Sequence, residues 1–192
     1  EPPRVVVLGL IGIADALRRE AATAAQALRD AGVEHVVMLT GDNPRAAARV
    51  AGEAGIGEYR ARLLPEDKTA EIAALREEYG TVAMVGDGVN DAPALAASDI
   101  GIAMGAAGTH TAIETADVAL MRDDLMAVAW LISLGRRTMA NIRQNVALSL
   151  GFKAIVMVLA LTGHATLWMA VFADTGVALL VIANGLRLLR TR

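Results

Sequence analysis

The chain has 192 residues, a formal net charge of −3 and no cysteine. That charge excludes a strongly basic nucleic-acid binder, and the missing cysteines exclude disulfides, cysteine zinc sites and thiol redox motifs within these residues. Mean hydropathy is +0.45, high for a soluble domain. The excess is uneven. Residues 1–124 alternate charged and apolar segments, whereas residues 145–189 carry very few charges. The pattern predicts an α/β part followed by a membrane part. The opening Glu1-Pro2-Pro3-Arg4 is polar, has no initiator methionine and shows no signal-peptide pattern, so it reads as the interior of a longer chain.

In chain order, Val5 to Leu10 is a β-branched run that predicts a buried strand. Gly9 and Gly12 follow without a G-x-G-x-x-G, so no dinucleotide fingerprint is present. Asp15 to Ala31 predicts a helix with Leu17, Ala21, Ala24 and Leu28 on one face and Gly32 as its stop. His35 to Leu39 predicts a second strand that ends in Thr40-Gly41-Asp42-Asn43-Pro44. Asn43 suits the N-cap and Pro44 the first turn of a helix running to about Ala54. Tyr59 to Leu63 is a weaker strand signal, and Pro65-Glu66-Asp67-Lys68 opens a helix to about Tyr79. Thr81 to Val85 is a strand running into Gly86-Asp87-Gly88-Val89-Asn90-Asp91. A short helix from Asp91 to Ala97, a strand from Ile100 to Met104, a helical turn from Thr111 to Thr115 and a strand from Val118 to Met121 complete this part. The alternation implies a parallel sheet with helices on both faces.

Three polar segments then gather at one edge, because ligands in open α/β sheets sit beyond the carboxyl ends of the strands. Thr40 can donate to a phosphate oxygen, Lys68 can neutralise its charge, and Asp87 can hold Mg²⁺. These describe a phosphoryl-transfer pocket. A covalent mechanism wants an aspartate nucleophile at a strand end, and none stands in place: Asp15 lies beyond the first strand but inside a predicted helix. Alone, Lys68 reads as a solvated helix lysine and Thr40-Gly41-Asp42 as the approach to an N-cap. The surrounding motifs raise both.

Asp124 to Gln144 predicts a helix leaving the soluble part. From Asn145 to Leu161 the only charge is Lys153, and from Ala165 to Leu186 the only charge is Asp174. Each stretch approaches the roughly 20 residues that span a bilayer. The short link Thr162-Gly163-His164 makes them a hairpin. Arg136, Arg137 and Arg143 precede it and Arg187, Arg190 and Arg192 follow it, so the positive-inside rule predicts cytoplasmic ends and a cytoplasmic soluble part. Lys153 and Asp174 each lie about ten residues, roughly 15 Å, from the turn, near mid-membrane. Intramembrane charges pair or mark an ion pathway. Asp174 is therefore the candidate ligand of a transported cation, and Lys153 its counter-ion. Lys153 could instead snorkel to a headgroup. Isolated His35, His110 and His164 read as structural or surface residues.

Gly86-Asp87-Gly88-Val89-Asn90-Asp91-Ala92-Pro93-Ala94-Leu95 resembles the hinge motif of P-type ATPases. Thr40-Gly41-Asp42 and Pro65-Glu66-Asp67-Lys68 resemble two further motifs of that family in the right order, and the run Gly108 to Asp117 also fits. The resemblance covers essentially the whole chain. A single hairpin after the hinge resembles the heavy-metal (type IB) pumps, and Lys153 with Asp174-Thr175-Gly176 resembles the last two helices of the zinc/cadmium/lead exporters. The Met-x-x-Ser-Ser of copper pumps is missing from the last helix. The resemblance implies a partial haloacid-dehalogenase-like Rossmann phosphorylation domain at 1–124. It implies a connecting helix and an all-α two-helix transmembrane hairpin at 125–192. By position, Asp87 and Asp91 would bind Mg²⁺, Asn90 and Lys68 would contact the phosphoryl group, and Thr40, Gly41 and Asp42 would cradle it. The implied function is ATP-driven export of Zn²⁺, Cd²⁺ or Pb²⁺ across the plasma or inner membrane through an aspartyl phosphate. The implied partners are the lipid bilayer and the rest of the pump chain, with no nucleic acid.

The sequence departs from the family in having no Asp-Lys-Thr-Gly-Thr, no nucleotide-binding or actuator domain and no cysteine metal motif. The expectation is a C-terminal portion, inactive alone. The alternative is a membrane-anchored haloacid-dehalogenase-like phosphatase or regulatory domain without transport.

Overall fold

A computed structural model describes residues 17–88, 90–105 and 110–190, with the side chains of 110–112 and 190 left out. The predicted strand at Val5 to Leu10, Asp15, Val89, Gly108 and Arg192 lie outside the described residues. The chain divides into two compact units, Glu1–Val128 and Ala129–Arg192.

The first unit alternates helix and strand: α1 (Ala21–Asp30), β1 (Val37–Leu39), α2 (Pro44–Glu53), β2 (Glu58–Arg60), α3 (Pro65–Tyr79), β3 (Ala83–Gly86), α4 (Ala92–Ala97), β4 (Ile100–Met104), α5 (His110–Thr115) and β5 (Val118–Leu120). The helix starts follow from local chemistry. Asn43 caps α2, its side-chain oxygen accepting from the Arg45 and Ala46 amides at 3.1 and 3.0 Å. Pro65 occupies the first turn of α3, and the Asp67 carboxylate accepts the Leu64 N–H at 2.9 Å. Glu66 and Asp67 also face the positive end of that helix dipole.

Among the described residues the strand pairs are parallel, as the alternation predicts, with β1 beside β2 and the order β3–β4–β5. Strands β1, β2 and β5 have only three residues each, so side-chain packing contributes much of what holds the layers. Leu39 of β1 packs on the core, where Ile72, Met84, Ala94, Leu95 and Ala103 are buried together. Strand β2 covers Glu58–Arg60 rather than Tyr59 to Leu63, because Arg62 turns to φ 60°, a left-handed conformation that ends an extended run. Helix α1 begins at Ala21, later than predicted. Arg18 lies in the preceding turn and reaches Asp123 at 2.5 Å.

The second unit contains most of α6 (Leu125–Leu161) and all of α7 (Leu167–Leu186), followed by a 3₁₀ turn at Arg187–Arg190. The predicted exit helix and first span are one unbroken helix of 37 residues, about 55 Å long. No proline interrupts it, and Gly135 and Gly151 inside it do not break the ladder. The link turns at Gly163, φ 75°, and the Thr166 hydroxyl caps α7 by accepting the Met169 N–H at 3.3 Å. Both helices are long and apolar enough to cross a membrane. Their large side chains point outward, among them Leu161, Leu167, Trp168 and Phe172.

Candidate functional site

Because β1, β3, β4 and β5 end in parallel ladders, the loops after them leave from the carboxyl ends of their strands. The loop after β3 carries the densest chemistry. Lys68 Nζ lies 2.5 Å from Asp91 Oδ1, and both side chains are largely buried, 16% and 15% exposed. The lysine is therefore fixed, not a solvated helix side chain. Asp91 sits at the start of α4, where its carbonyl accepts the Leu95 N–H at 2.8 Å. Its other carboxylate oxygen lies against Gly86: a Cβ added there would be 2.9 Å from Asp91 Oδ2 and 3.0 Å from Asp91 Cβ. Gly86 is thus the space into which the Asp91 carboxylate fits. Gly88 turns at φ 75°, which suits glycine. Asp87 is exposed, and its Oδ1 accepts the Asn90 N–H at 3.4 Å.

The loop after β1 is built separately. Thr40 Oγ1 accepts the Asp42 N–H at 3.1 Å. The Thr40 N–H donates to the Arg60 carbonyl, the Leu63 N–H to the Thr40 carbonyl, and the Arg62 N–H to the Asp42 carbonyl. Gly41 approaches the Leu63 carbonyl so closely that a Cβ would stand 3.2 Å from it. These bonds tie Thr40, Gly41 and Asp42 to residues 60–63, the segment that leads into α3, on which Lys68 lies. The sequence assigned Asp91 to a metal; it missed the ion pair with Lys68. The one available signal was a lysine and an aspartate that each follow a proline-marked helix start or precede one.

Among the described residues, no group of three or more His, Asp and Glu could hold a metal ion. The donor chemistry still suits Mg²⁺, which binds through one or two carboxylates with waters and phosphate oxygens completing its shell. Asp87 carries an exposed carboxylate on the loop after β3, and Asp91, four residues further on, is engaged by Lys68.

In the second unit, Lys153 and Asp174 line one groove of about 370 Å³ between α6 and α7. Ser149, Phe152, Ala173 and Val177 complete much of its wall. Among the described residues no ion pair within 4.0 Å joins Lys153 to Asp174; they face a common space. A polar cluster that sequence reasoning missed ties the same two helices: Asn184 Nδ2 donates to Asn145 Oδ1 at 2.8 Å, Asn141 Nδ2 to the Asn184 carbonyl at 2.9 Å, and Asn145 Nδ2 to Asn141 Oδ1 at 2.9 Å. Three asparagines at the edge of apolar runs were the available signal.

The model of the haloacid dehalogenase-like hydrolase family matches residues 3–99, which span Thr40, Lys68, Asp87 and Asp91. The chain belongs to the haloacid dehalogenase-like hydrolases. It is also similar, over about a quarter of their length, to type IB heavy-metal P-type ATPases. Over 186 residues it is 54% identical to the zinc/cadmium/lead-transporting P-type ATPase of Escherichia coli (strain K12), covering 97% of this chain and 25% of that pump. It is 48% identical to the probable cadmium-transporting ATPase of Alkalihalophilus pseudofirmus, covering 97% of this chain and 26% of that one. The crystal structure of a zinc-transporting PIB-type ATPase in the E2P state superimposes with a TM-score of 0.80 at 54% identity, covering 91% of this chain and 28% of that one. The chain thus spans about a quarter of the length of the curated relatives it matches.

Proposed function

We propose that the full-length protein is an ATP-driven exporter of Zn²⁺, Cd²⁺ or Pb²⁺ that works through an aspartyl phosphate, and that these residues are one portion of it. The observation that carries this reading is Lys153 and Asp174 on the walls of one groove between two apolar helices, in a chain that also holds the family's Lys68–Asp91 loop. The identity to pumps whose names state those metals supports the substrate class. In this reading the soluble part, residues 1–124, is cytoplasmic. Residues 125–192 are the connecting helix and the last two spans of a multi-pass plasma or inner-membrane protein.

The geometry supports the following roles. Lys68, held by Asp91, presents a fixed positive charge to the oxygens of the phosphoryl group. Thr40 and the Gly41 backbone cradle that group, the Asp42 backbone ties their loop to the segment before α3, and Asn90, whose N–H bonds to Asp87, contacts the phosphoryl group. Asp87 and Asp91 would hold Mg²⁺, which when bound would offset phosphate charge. In the membrane, Asp174 is the acidic ligand of the transported cation and Lys153 supplies the compensating charge across the groove. An ionised side chain at that depth costs a few kcal/mol unless compensated, so a cation and a lysine alternating beside Asp174 keep the groove near neutral through the cycle.

The test is metal export by the full-length protein carrying Asp174→Ala. Loss of zinc-, cadmium- and lead-dependent export, with protein still in the membrane, is the expected result. Undiminished export overturns the assignment of Asp174.

A further inference from the structure

The two helices that form the groove touch each other sparingly. Most of their large apolar side chains face outward, and Val177 is the buried residue of α7. At one end they are joined by the turn at Gly163. A turn fixes proximity but leaves splay free. A splay of about 10° displaces a group 15 Å along a helix by about 3 Å, enough to separate two facing ligands.

The other end is tied by side chains. Asn184 donates from its amide to Asn145 and reaches Gln144 at 3.5 Å. Its carbonyl accepts from Asn141, which in turn accepts from Asn145. Arg187 Nη1 donates to Asn184 Oδ1 at 3.3 Å. Donor and acceptor of the Asn184 side chain are thus both engaged, as they must be where apolar surroundings offer few other partners. Lys153 lies eight residues beyond Asn145, and Asp174 ten residues before Asn184 on the antiparallel helix. At 1.5 Å per residue these are about 12 and 15 Å from the clasp, a difference smaller than one 5.4 Å turn. The asparagine pairing therefore sets the register in which Lys153 and Asp174 share a groove.

We propose that Asn145 and Asn184, braced by Asn141, are positioning residues for the cation groove: they hold α6 and α7 in the register that brings Lys153 and Asp174 to opposite walls. The proposal rests on the reading of that groove as a cation site. A hydrogen bond between membrane helices has a modest net value, so each loss shifts cation affinity by a few-fold and does not abolish it.

The experiment is zinc-stimulated ATP hydrolysis by the full-length pump, read as the half-maximal zinc concentration and the maximal rate. It compares Asn145→Ala, Asn184→Ala, the double variant and Asp174→Ala. Expected is a rise of about three- to tenfold in the half-maximal concentration for each single asparagine variant, with the double no worse than the worse single, because both remove one shared contact. The fall in maximal rate stays smaller than that rise. Mere destabilisation would lower the maximal rate without moving the half-maximal concentration, and that outcome overturns the proposal, as do additive single effects. Should the alanine variants not fold, Asn145→Ser and Asn184→Ser are measured by the same two readouts and judged by the same shifts. If Asp174→Ala abolishes stimulation while the asparagine variants match the parent, the register proposal fails and the groove reading stands. If Asp174→Ala itself matches the parent, the groove reading fails.

Discussion

Replacing Gly86 by alanine tests the fit on which the phosphoryl loop depends. The added methyl would sit 2.9 Å from Asp91 Oδ2 and 3.0 Å from Asp91 Cβ, against ordinary van der Waals separations of about 3.5–4.0 Å. Rotating the carboxylate can relieve the first contact but not the second, because Cβ is fixed to the backbone. That backbone opens α4 through the Asp91–Leu95 bond. The start of α4 must then shift by about half an ångström, enough to draw Asp91 off Lys68. Overpacking of this kind costs about 1–3 kcal/mol, and a bond to a charged group contributes about 1.5–3 kcal/mol. The two overlap and the pair keeps some solvent, so the expected loss is about 2–3 kcal/mol. Denaturant unfolding of the chain in detergent, followed by circular dichroism, measures it. The control is Gly52→Ala in α2, where the new Cβ meets nothing within 4 Å and stability should rise by about 0.5–1 kcal/mol. A Gly86→Ala chain that unfolds within about 0.5 kcal/mol of the parent refutes the reasoning, since the strand end would then yield without disturbing Asp91.

Three further outcomes follow from the same structure. Asn43→Ala removes the acceptor of two amide bonds at the start of α2 and should cost about 1 kcal/mol in the same unfolding measurement. Leu95→Ala truncates a side chain 1% exposed in the central cluster and should cost about 2–5 kcal/mol, with an unchanged denaturant slope if the fold survives. The hydrogen bond from the Arg18 guanidinium holds the Asp123 carboxyl below its ordinary range. The unfolded chain therefore binds this proton more readily. The resulting stability is complete above the unfolded value of about 4 and is lost as pH falls through the lower folded value. Both side chains are about half exposed, so the effect is under about 1 kcal/mol. Asp123→Asn should flatten that acid limb, and added salt should do the same to the parent.

Much of the fold was legible because local chemistry and global structure agree. Asn43-Pro44 and Pro65 each mark a helix start that the backbone adopts, and Ile100–Met104 pairs as the strand its composition predicts. The long apolar runs appear as two helices long and apolar enough to cross a membrane, and the lone charge in each drew attention to Lys153 and Asp174. The misses lie where the cause is not local. The end of β2 depends on Arg62 turning left-handed while its N–H bonds back to Asp42. The continuity of α6 depends on nothing interrupting it, which a sequence divided by polarity splits in two.

The sequence by itself determined which residues could do chemistry and the order in which parallel strands deliver them, because strand ends, turn residues and apolar runs are encoded within a few neighbours. Tertiary structure alone decided which of those residues meet. Lys68 and Asp91 are 23 positions apart and bond because α3 and α4 pack on one core. Gly86 matters because a carboxylate five residues later occupies the room its side chain leaves. Asn145 and Asn184 clasp because α6 and α7 run antiparallel through a tight turn. Such contacts depend on the distance between elements in space, and no spacing along the chain records that distance.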